Sequence, residues 1–255
     1  MRIAVVIPAY NEAGNIGRLV EETFAVVPAA MLGEVIVVDD ASDDQTGVEI
    51  KSLLKQYPAL RYLRHGRRAG QSAALRSGVM AARQTIIATM DGDGQNDPKD
   101  IPQLLARLGA QGEEPAMVAG IRTGRKAKGS RKAASRFANW IRDTVLADGC
   151  PDTGCGLKLY RRDAYLALPY FSSMHRYLPA FFLSYGHEIA YEPVNDRPRL
   201  AGASKYTNLG RALIGLYDLV GVSWLRKRTT IPPIVEDLEG SPGGSRRARP
   251  RASAR

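Results

Sequence analysis

Two carboxylates stand one residue apart in Met90-Asp-Gly-Asp-Gly-Gln-Asn-Asp-Pro98, directly after the apolar run Thr85–Met90. Gly92 and Gly94 let the backbone turn at that point, because glycine tolerates positive φ. The turn can aim the oxygens of Asp91, Asp93 and Gln95 at one hard divalent cation. Such a group suits Mg²⁺ or Mn²⁺ shared with a diphosphate.

Two further clusters follow apolar runs in the same way. Pro8-Ala-Tyr-Asn-Glu12 offers Tyr10 as a ring for a base, and Asn11 and Glu12 as partners for a base or ribose edge; Asn is equally suited to capping a helix. Val38-Asp-Asp-Ala-Ser-Asp-Asp44 places Asp39 and Asp40 where nucleotide-binding sheets hold a ribose hydroxyl. Asp43 and Asp44 read as residues of a helix N-terminus, where acids complement the dipole.

The elements that must position these clusters alternate. Ile3–Pro8, Glu34–Asp39, Leu60–Leu63, Thr85–Met90 and Met117–Gly120 read as strands. Asn15–Val27, Thr46–Gln56, Ser72–Arg83 and Pro98–Leu108 read as helices, the last with proline in its first turn. This βαβα order predicts an α/β fold, an open parallel sheet with helices on both faces. Ligands in such sheets bind at the carboxyl ends of the strands. Further on, Ser135–Leu146 and Tyr177–Tyr185 are expected to be helical, and Gly156–Arg161 and His187–Asn195 extended.

The chain has 255 residues, 44% hydrophobic, a formal charge of +10 and a pI near 9.7. That balance points to an anionic partner. Six of the thirteen residues 121–133 are basic and none is acidic, so this stretch reads as a loop; residues 196–206 read likewise. Leu209, Leu213, Leu216, Val220 and Trp224 fall on one helical face, with Asn208, Arg211, Gly215, Asp218 and Arg226 on another. Followed by Arg226-Lys-Arg228, this amphipathic helix (207–228) suits a membrane interface. Residues 229–255 form a basic tail whose last twenty positions are rich in Gly, Pro, Ser and Arg, a composition typical of disorder. No apolar run reaches the length of a membrane span, and no secretory leader pattern is visible. The two cysteines, Cys150 and Cys155, read as reduced and packed near a turn. His65 reads as a surface residue, and His175 and His187 lack metal partners at useful spacing.

Five segments in order, VIPAYNE (6–12), VVDDASDDQT (37–46), MDGDGQNDP (90–98), DTGCGLKLYRRD (152–163) and RLAGASKY (199–206), make the chain resemble the family 2 glycosyltransferases. It is most similar to the branch of dolichol-phosphate mannose synthase and bacterial polyprenyl-phosphate glycosyltransferases, from Ile3 to about Arg228. The resemblance implies a GT-A, Rossmann-like domain over 1–206 and an inverting transfer of a sugar, mannose or glucose, from a GDP- or UDP-sugar to a polyprenyl or dolichyl phosphate. It implies donor contacts from Pro8, Tyr10, Glu12, Asp39, Asp40, Gly70, Asp91 and Lys205, with metal at Asp91, Asp93 and Gln95. It places Arg122, Arg131 and Ser135 on the lipid phosphate and Arg199 on the donor diphosphate. The run RHGRRAGQSAA (64–74) departs from the family pattern by lacking a lysine between its glycines, although Gly70 and Gln71 can still offer a helix N-terminus.

A phosphate acceptor is already anionic near neutral pH, its second pKa being about 6. No general base is then expected; the cations and metal must instead offset repulsion between two anions. An enzyme acting on a sugar hydroxyl would need a base, for which Asp152 is the candidate within a family motif. Nucleic acid is not expected as a partner, since aromatics are only 7% and are not interleaved with the cations. The expected setting is the cytosolic face of a membrane, held peripherally without a transmembrane helix.

Overall fold

The computed structural model describes residues 1–109, 114–123, 144–198 and 208–232. Seven strands form one sheet: β1 (Ile3–Ala9), β2 (Leu32–Asp39), β3 (Leu60–Arg64), β4 (Ile86–Thr89), β5 (Met117–Thr123), β6 (Lys158–Arg161) and β7 (Ile189–Asn195). Their spatial order is β3-β2-β1-β4-β6-β5-β7. All neighbours are parallel except at β6, which runs against both β4 and β5. The helices are α1 (Ile16–Val26), α2 (Thr46–Leu53), α3 (Gln71–Ala81), α4 (Ile101–Leu108), α5 (Arg162–Ala167), α6 (Leu178–Ser184) and α7 (Asn208–Arg228).

The sheet is covered on both sides, which explains why its central strands read as unbroken apolar runs. In β1, Ile3, Val5 and Ile7 pack with Ile16, Val20 and Leu104, while Ala4 and Val6 pack with Val79, Tyr160 and Phe181. The pleat thus sends alternate residues into two separate cores. Register sets Asp39 level with Ala9, and Val6 level with Thr89. The carboxyl ends of β1, β2 and β4 therefore open on one edge.

Four departures from the sequence reading have physical causes. The sheet is mostly rather than wholly parallel, because β6 returns antiparallel; a hydrophobic pattern does not encode strand direction. Helix α5 was not expected, and its six residues are too few to show periodicity. The segment from Pro98 opens as a 3-10 turn, Pro98–Asp100, in which Asp97 accepts the Lys99 amide at 2.9 Å, and becomes α4 only at Ile101. Gly92 is not the positive-φ residue of the acidic turn. Gly94 is, at φ 75°, whereas Gly92 is needed because a Cβ there would come within 2.9 Å of the Pro8 carbonyl.

Helix α7 uses two faces. Leu219 and Val222 are buried against the second core, with Leu225 packed beside them. Arg226 donates to Ser184 Oγ at 2.6 Å and to the Leu146 carbonyl, and Tyr177 donates to the Gly215 carbonyl at 3.2 Å. The side expected to be polar thus faces the protein, where Arg226 and the Gly215 carbonyl find partners. Leu216, Val220 and Trp224, from the expected apolar face, are exposed, as is Tyr217. No helix among the described residues is long and apolar enough to cross a membrane. The expected helix 135–146 before Thr144, the basic stretch from 124, the late loop from 199 and the tail from 233 lie outside the described residues.

Candidate active site

The first two loops interlock. Asn11, at φ 52°, donates to Asp43 Oδ1 at 2.6 Å and accepts the Asp43 amide at 3.0 Å. The amides of Asn11, Glu12 and Gly14 are taken by Ser42 Oγ, Thr46 Oγ1 and Glu49 Oε1. Asp44 accepts the Thr46 amide at 2.9 Å at the start of α2, as its position suggested. Asn11 thereby stitches two loops together, and Tyr10 is carried at the mouth of β1 with the Arg68 guanidinium 4.0 Å above its ring.

Asp39 and Asp40 are turned into the protein. Asp39 is fully buried; it accepts the Ser42 amide at 2.8 Å and the Tyr62 hydroxyl at 2.6 Å. Asp40 accepts the amides of Ala69 and Gly70 at 2.8 and 2.7 Å and contacts His65 Nδ1 at 2.7 Å. Burial alone would raise the Asp40 carboxyl, but the His65 and backbone hydrogen bonds outweigh it and lower it. His65 is therefore not a surface residue: its ring bridges Asp40 and Ser77 Oγ, the latter at 2.9 Å. Its partner lies 25 residues away in sequence, so spacing gave no sign of it. The Gly70 amide is engaged by Asp40, and the next side chain, Gln71, reaches across to Asp91.

Asp91 lies at the base of the cleft. Its Oδ1 accepts from Gln71 Nε2 at 2.8 Å, and its amide donates to Asn96 Oδ1 at 2.9 Å. Gly156 lies directly against the carboxylate, where a Cβ would sit 2.4–2.6 Å from its atoms. Burial first, and the Asp93 charge second, push the Asp91 carboxyl up to about 6. An acid whose ionisation is opposed by burial and by a neighbouring acid fits a site made for a cation. Among the described residues no group of three or more His, Cys, Asp or Glu forms a full metal cage. Asp91 and Asp93 would hold the ion, with Gln95 Oε1 available, since the Gln95 amide nitrogen donates to the Arg197 carbonyl at 3.5 Å. Mg²⁺ commonly retains waters and shares substrate phosphates, so two carboxylates suffice.

The acidic loop is braced by α1 and by the segment after β7. Arg197 forks onto Glu22 at 2.7 and 2.9 Å and also pairs with Asp97, while its amide donates to the Gln95 carbonyl at 3.0 Å. These partners raise the Arg197 pKa, Glu22 most of all. Asp97 is lowered in turn, Arg197 and the Lys99 amide outweighing its burial.

Arg122, at the end of β5, donates through Nε and Nη2 to Asp152, both at 2.7 Å. Burial would raise the Asp152 carboxyl, but the Arg122 hydrogen bonds and charge outweigh it and hold it below the usual carboxylate range. Asp196 is near enough to raise the Arg122 pKa, and its Oδ1 has no hydrogen-bond partner among the described residues. Lys158, at the start of β6, is 4% exposed and donates to the Cys155 carbonyl. Both cysteines are free and buried. Arg131, Ser135, Arg199 and Lys205 lie outside the described residues.

The structure thus brings Tyr10, Asp91, Asp93, Gln95 and Arg122 to the carboxyl edge and sets Asp39 and Asp40 behind it as loop anchors. Sequence reasoning missed Asn96, Gly156, Lys158 and Arg197, named Gln71 only for its place at a helix N-terminus, and weighed His175 only as a metal ligand. Gly156 and Lys158 were within a quoted motif, and a lysine inside an otherwise buried strand was the available signal.

The Glycosyl transferase family 2 model matches residues 4–168. The chain is 34% identical over 241 residues to the dodecaprenyl-phosphate galacturonate synthase of Rhizobium johnstonii, covering 91% of this chain and 69% of that one. It is 29% identical to the undecaprenyl-phosphate 4-deoxy-4-formamido-L-arabinose transferase of an Enterobacter species, covering 86% and 66%. The chain therefore spans about two thirds of the length of these curated relatives. Among solved structures, glucosyl-3-phosphoglycerate synthase of Mycobacterium tuberculosis, in complex with Mn²⁺, UDP and phosphoglyceric acid, matches with a TM-score of 0.66 at 19% identity, over 88% of this chain and 78% of that one. The same enzyme with Mg²⁺ and UDP matches at 0.67. These share the GT-A fold. With an acid pair at the mouth of β4, a mostly parallel sheet behind it and the family match across the whole catalytic edge, the chain belongs to glycosyl transferase family 2.

Proposed function

We propose that the protein transfers a sugar from a UDP-sugar to a polyprenyl phosphate at a membrane surface, with Mg²⁺ or Mn²⁺ bound by Asp91 and Asp93. An acceptor phosphate oxygen attacks the anomeric carbon, the bond to the donor diphosphate breaks, and the configuration inverts. The metal would act as a Lewis acid towards the departing diphosphate. UDP is favoured over GDP by the solved neighbours, which are complexes with UDP and UDP-glucose. The lipid acceptor is favoured by the names of the curated relatives.

The observation that carries the reading is the clamp on Asp152. A hydroxyl acceptor would need a base, and the carboxylate nominated for that role is committed to Arg122 and lowered in pKa. A phosphate acceptor needs none. Arg122 keeps Nη1 available for an oxyanion, and the exposed Leu216, Val220 and Trp224 favour peripheral docking of α7 on lipid. The alternative, transfer to a sugar hydroxyl, would have to use Asp196, whose Oδ1 lacks a partner among the described residues. The test is transfer from UDP-sugars to a short-chain polyprenyl phosphate by the wild type and by Asp196→Asn. Retained transfer in the variant supports the phosphate reading. Absence of transfer to any polyprenyl phosphate, alongside transfer to a free sugar, defeats it.

A further inference from the structure

Beside Asp91 the cleft deepens into a cavity of about 150 Å³ whose walls include Gln71, Thr153, Lys158, His175 and Arg176. Resting on the nucleotide-sugar reading above, we propose that this cavity selects an acidic sugar: the donor carries a uronic acid, and its carboxylate is received by Lys158 and Arg176.

The charge on the walls is unbalanced. Lys158 is 4% exposed, yet among the described residues its ammonium makes no ion pair and only one hydrogen bond, to the Cys155 carbonyl. An ammonium carries three N–H donors, so two are left for a ligand. Asp91 and Asp152 act on it through space, but with a cation on Asp91 and Arg122 on Asp152 neither is left to balance it. Arg176, half-buried on the same wall, makes no side-chain hydrogen bond or ion pair among the described residues. The one acid on the wall, Asp91, is committed to Gln71 and the cation site. A carboxylate would give both cations a direct partner, and a guanidinium beside an ammonium suits its two oxygens.

His175 completes the lining without adding charge. Burial, then Arg176 and Lys158, push its imidazole down to about 3. Its amide donates to Ser72 Oγ at 3.3 Å, and the Ser72 hydroxyl meets Nδ1 at 2.7 Å. A Ser72 hydroxyl that donates to Nδ1 leaves the ring proton on Nε2, a neutral donor suited to a sugar hydroxyl. The cavity adjoins Asp91, so its occupant is the group attached to the metal-held diphosphate, and its volume matches one sugar ring rather than a phosphate with its prenyl chain.

The test measures binding of UDP-galacturonic and UDP-glucuronic acid against UDP-galactose and UDP-glucose to the full chain with Mn²⁺. The acidic donors are expected to bind at least tenfold more tightly than their neutral counterparts. Arg176→Gln and Lys158→Gln should each cut that preference below threefold. If Lys158→Gln does not fold, the half-buried Arg176→Gln decides. Equal affinity for acidic and neutral donors, with UDP binding intact, overturns the cavity assignment alone. So does a variant that keeps the donor preference but raises KM for polyprenyl phosphate, which would assign the two cations to the acceptor. Loss of all UDP binding in the wild type would strike the nucleotide-sugar reading beneath it, and the assignment with it.

Discussion

Arg122 and Asp152 meet through two parallel hydrogen bonds of 2.7 Å, Nε to Oδ2 and Nη2 to Oδ1, and the Arg122 amide adds a third contact to Oδ2 at 3.3 Å. The pair fixes the guanidinium by one edge and turns the other towards the cleft. It also removes Asp152 from acid–base chemistry.

Substitutions at Asp152 therefore separate positioning from base catalysis. Asp152→Asn, which keeps the shape and one acceptor, should lower kcat/KM by about tenfold or less, against the roughly 10²–10⁴-fold expected for loss of a general base. Asp152→Ala leaves Arg122 mostly buried and unpaired, and should cost about 3 kcal/mol in urea unfolding. Steady-state kinetics and denaturation on the same two variants check both statements.

Acid sensitivity should follow the lowered carboxyls of Asp40, Asp97 and Asp152. Each has a folded pKa below its unfolded value, so its contribution is fully present above about pH 4 and is lost as pH falls through the folded pKa. Urea midpoints should therefore owe no slope to these groups between pH 5 and 7 and should fall below pH 4. Asp97→Asn, which uncouples Arg197 from the acidic loop, should flatten that acid limb.

Asp91 carries the opposite sign. Its carboxyl is pushed up by burial and by Asp93, so its charge opposes folding of the metal-free protein near neutral pH. Asp91→Asn should raise the thermal midpoint without metal and abolish the gain that Mn²⁺ plus UDP gives the wild type. Gly156→Ala, which drives a Cβ into the same carboxylate, should abolish that gain while also lowering the midpoint. Differential scanning fluorimetry of the three proteins, each without and with Mn²⁺ plus UDP, reads these outcomes.

Helix α7 cannot be removed cleanly, because Leu219 and Val222 belong to the core. Its outer face can be changed alone. Replacing Leu216, Val220 and Trp224 by Ser removes side chains each worth about 1.5–3 kcal/mol when fully buried. Partitioning onto anionic liposomes should fall more than tenfold, with UDP affinity within twofold of wild type. Unchanged co-sedimentation would remove the membrane role from this helix.

Much of this arrangement is legible in the residues because its causes are local. Ile3–Pro8 and Glu34–Asp39 read as strands since both faces of each are buried, and the acidic turn reads from Asp91, Gly92, Asp93 and Gly94 alone. What escapes is carried by long-range pairing. His65 looks like a surface residue until Asp40 is placed beside it. Arg197 looks like part of a basic loop until Glu22, 175 residues away, is found beneath it. The direction of β6 is invisible to any hydrophobic pattern, and with it the placing of Gly156 and Lys158. Asp39 and Asp40 show the converse limit, since position at a strand end says nothing of which way a carboxylate turns.

The reversal of β6 gives the cleft two independent suppliers. Parallel strands deliver their carboxyl ends to this edge and with them the acids, while the antiparallel strand delivers its amino end, with Lys158 level with Thr89 and Ala119. Acids and cations are thus borne by different segments, which touch where Gly156 lies against Asp91. Gly156 has to stay bare to leave the cation-holding carboxylate in place, so the fold confines evolutionary change in the proposed donor cavity to its other walls.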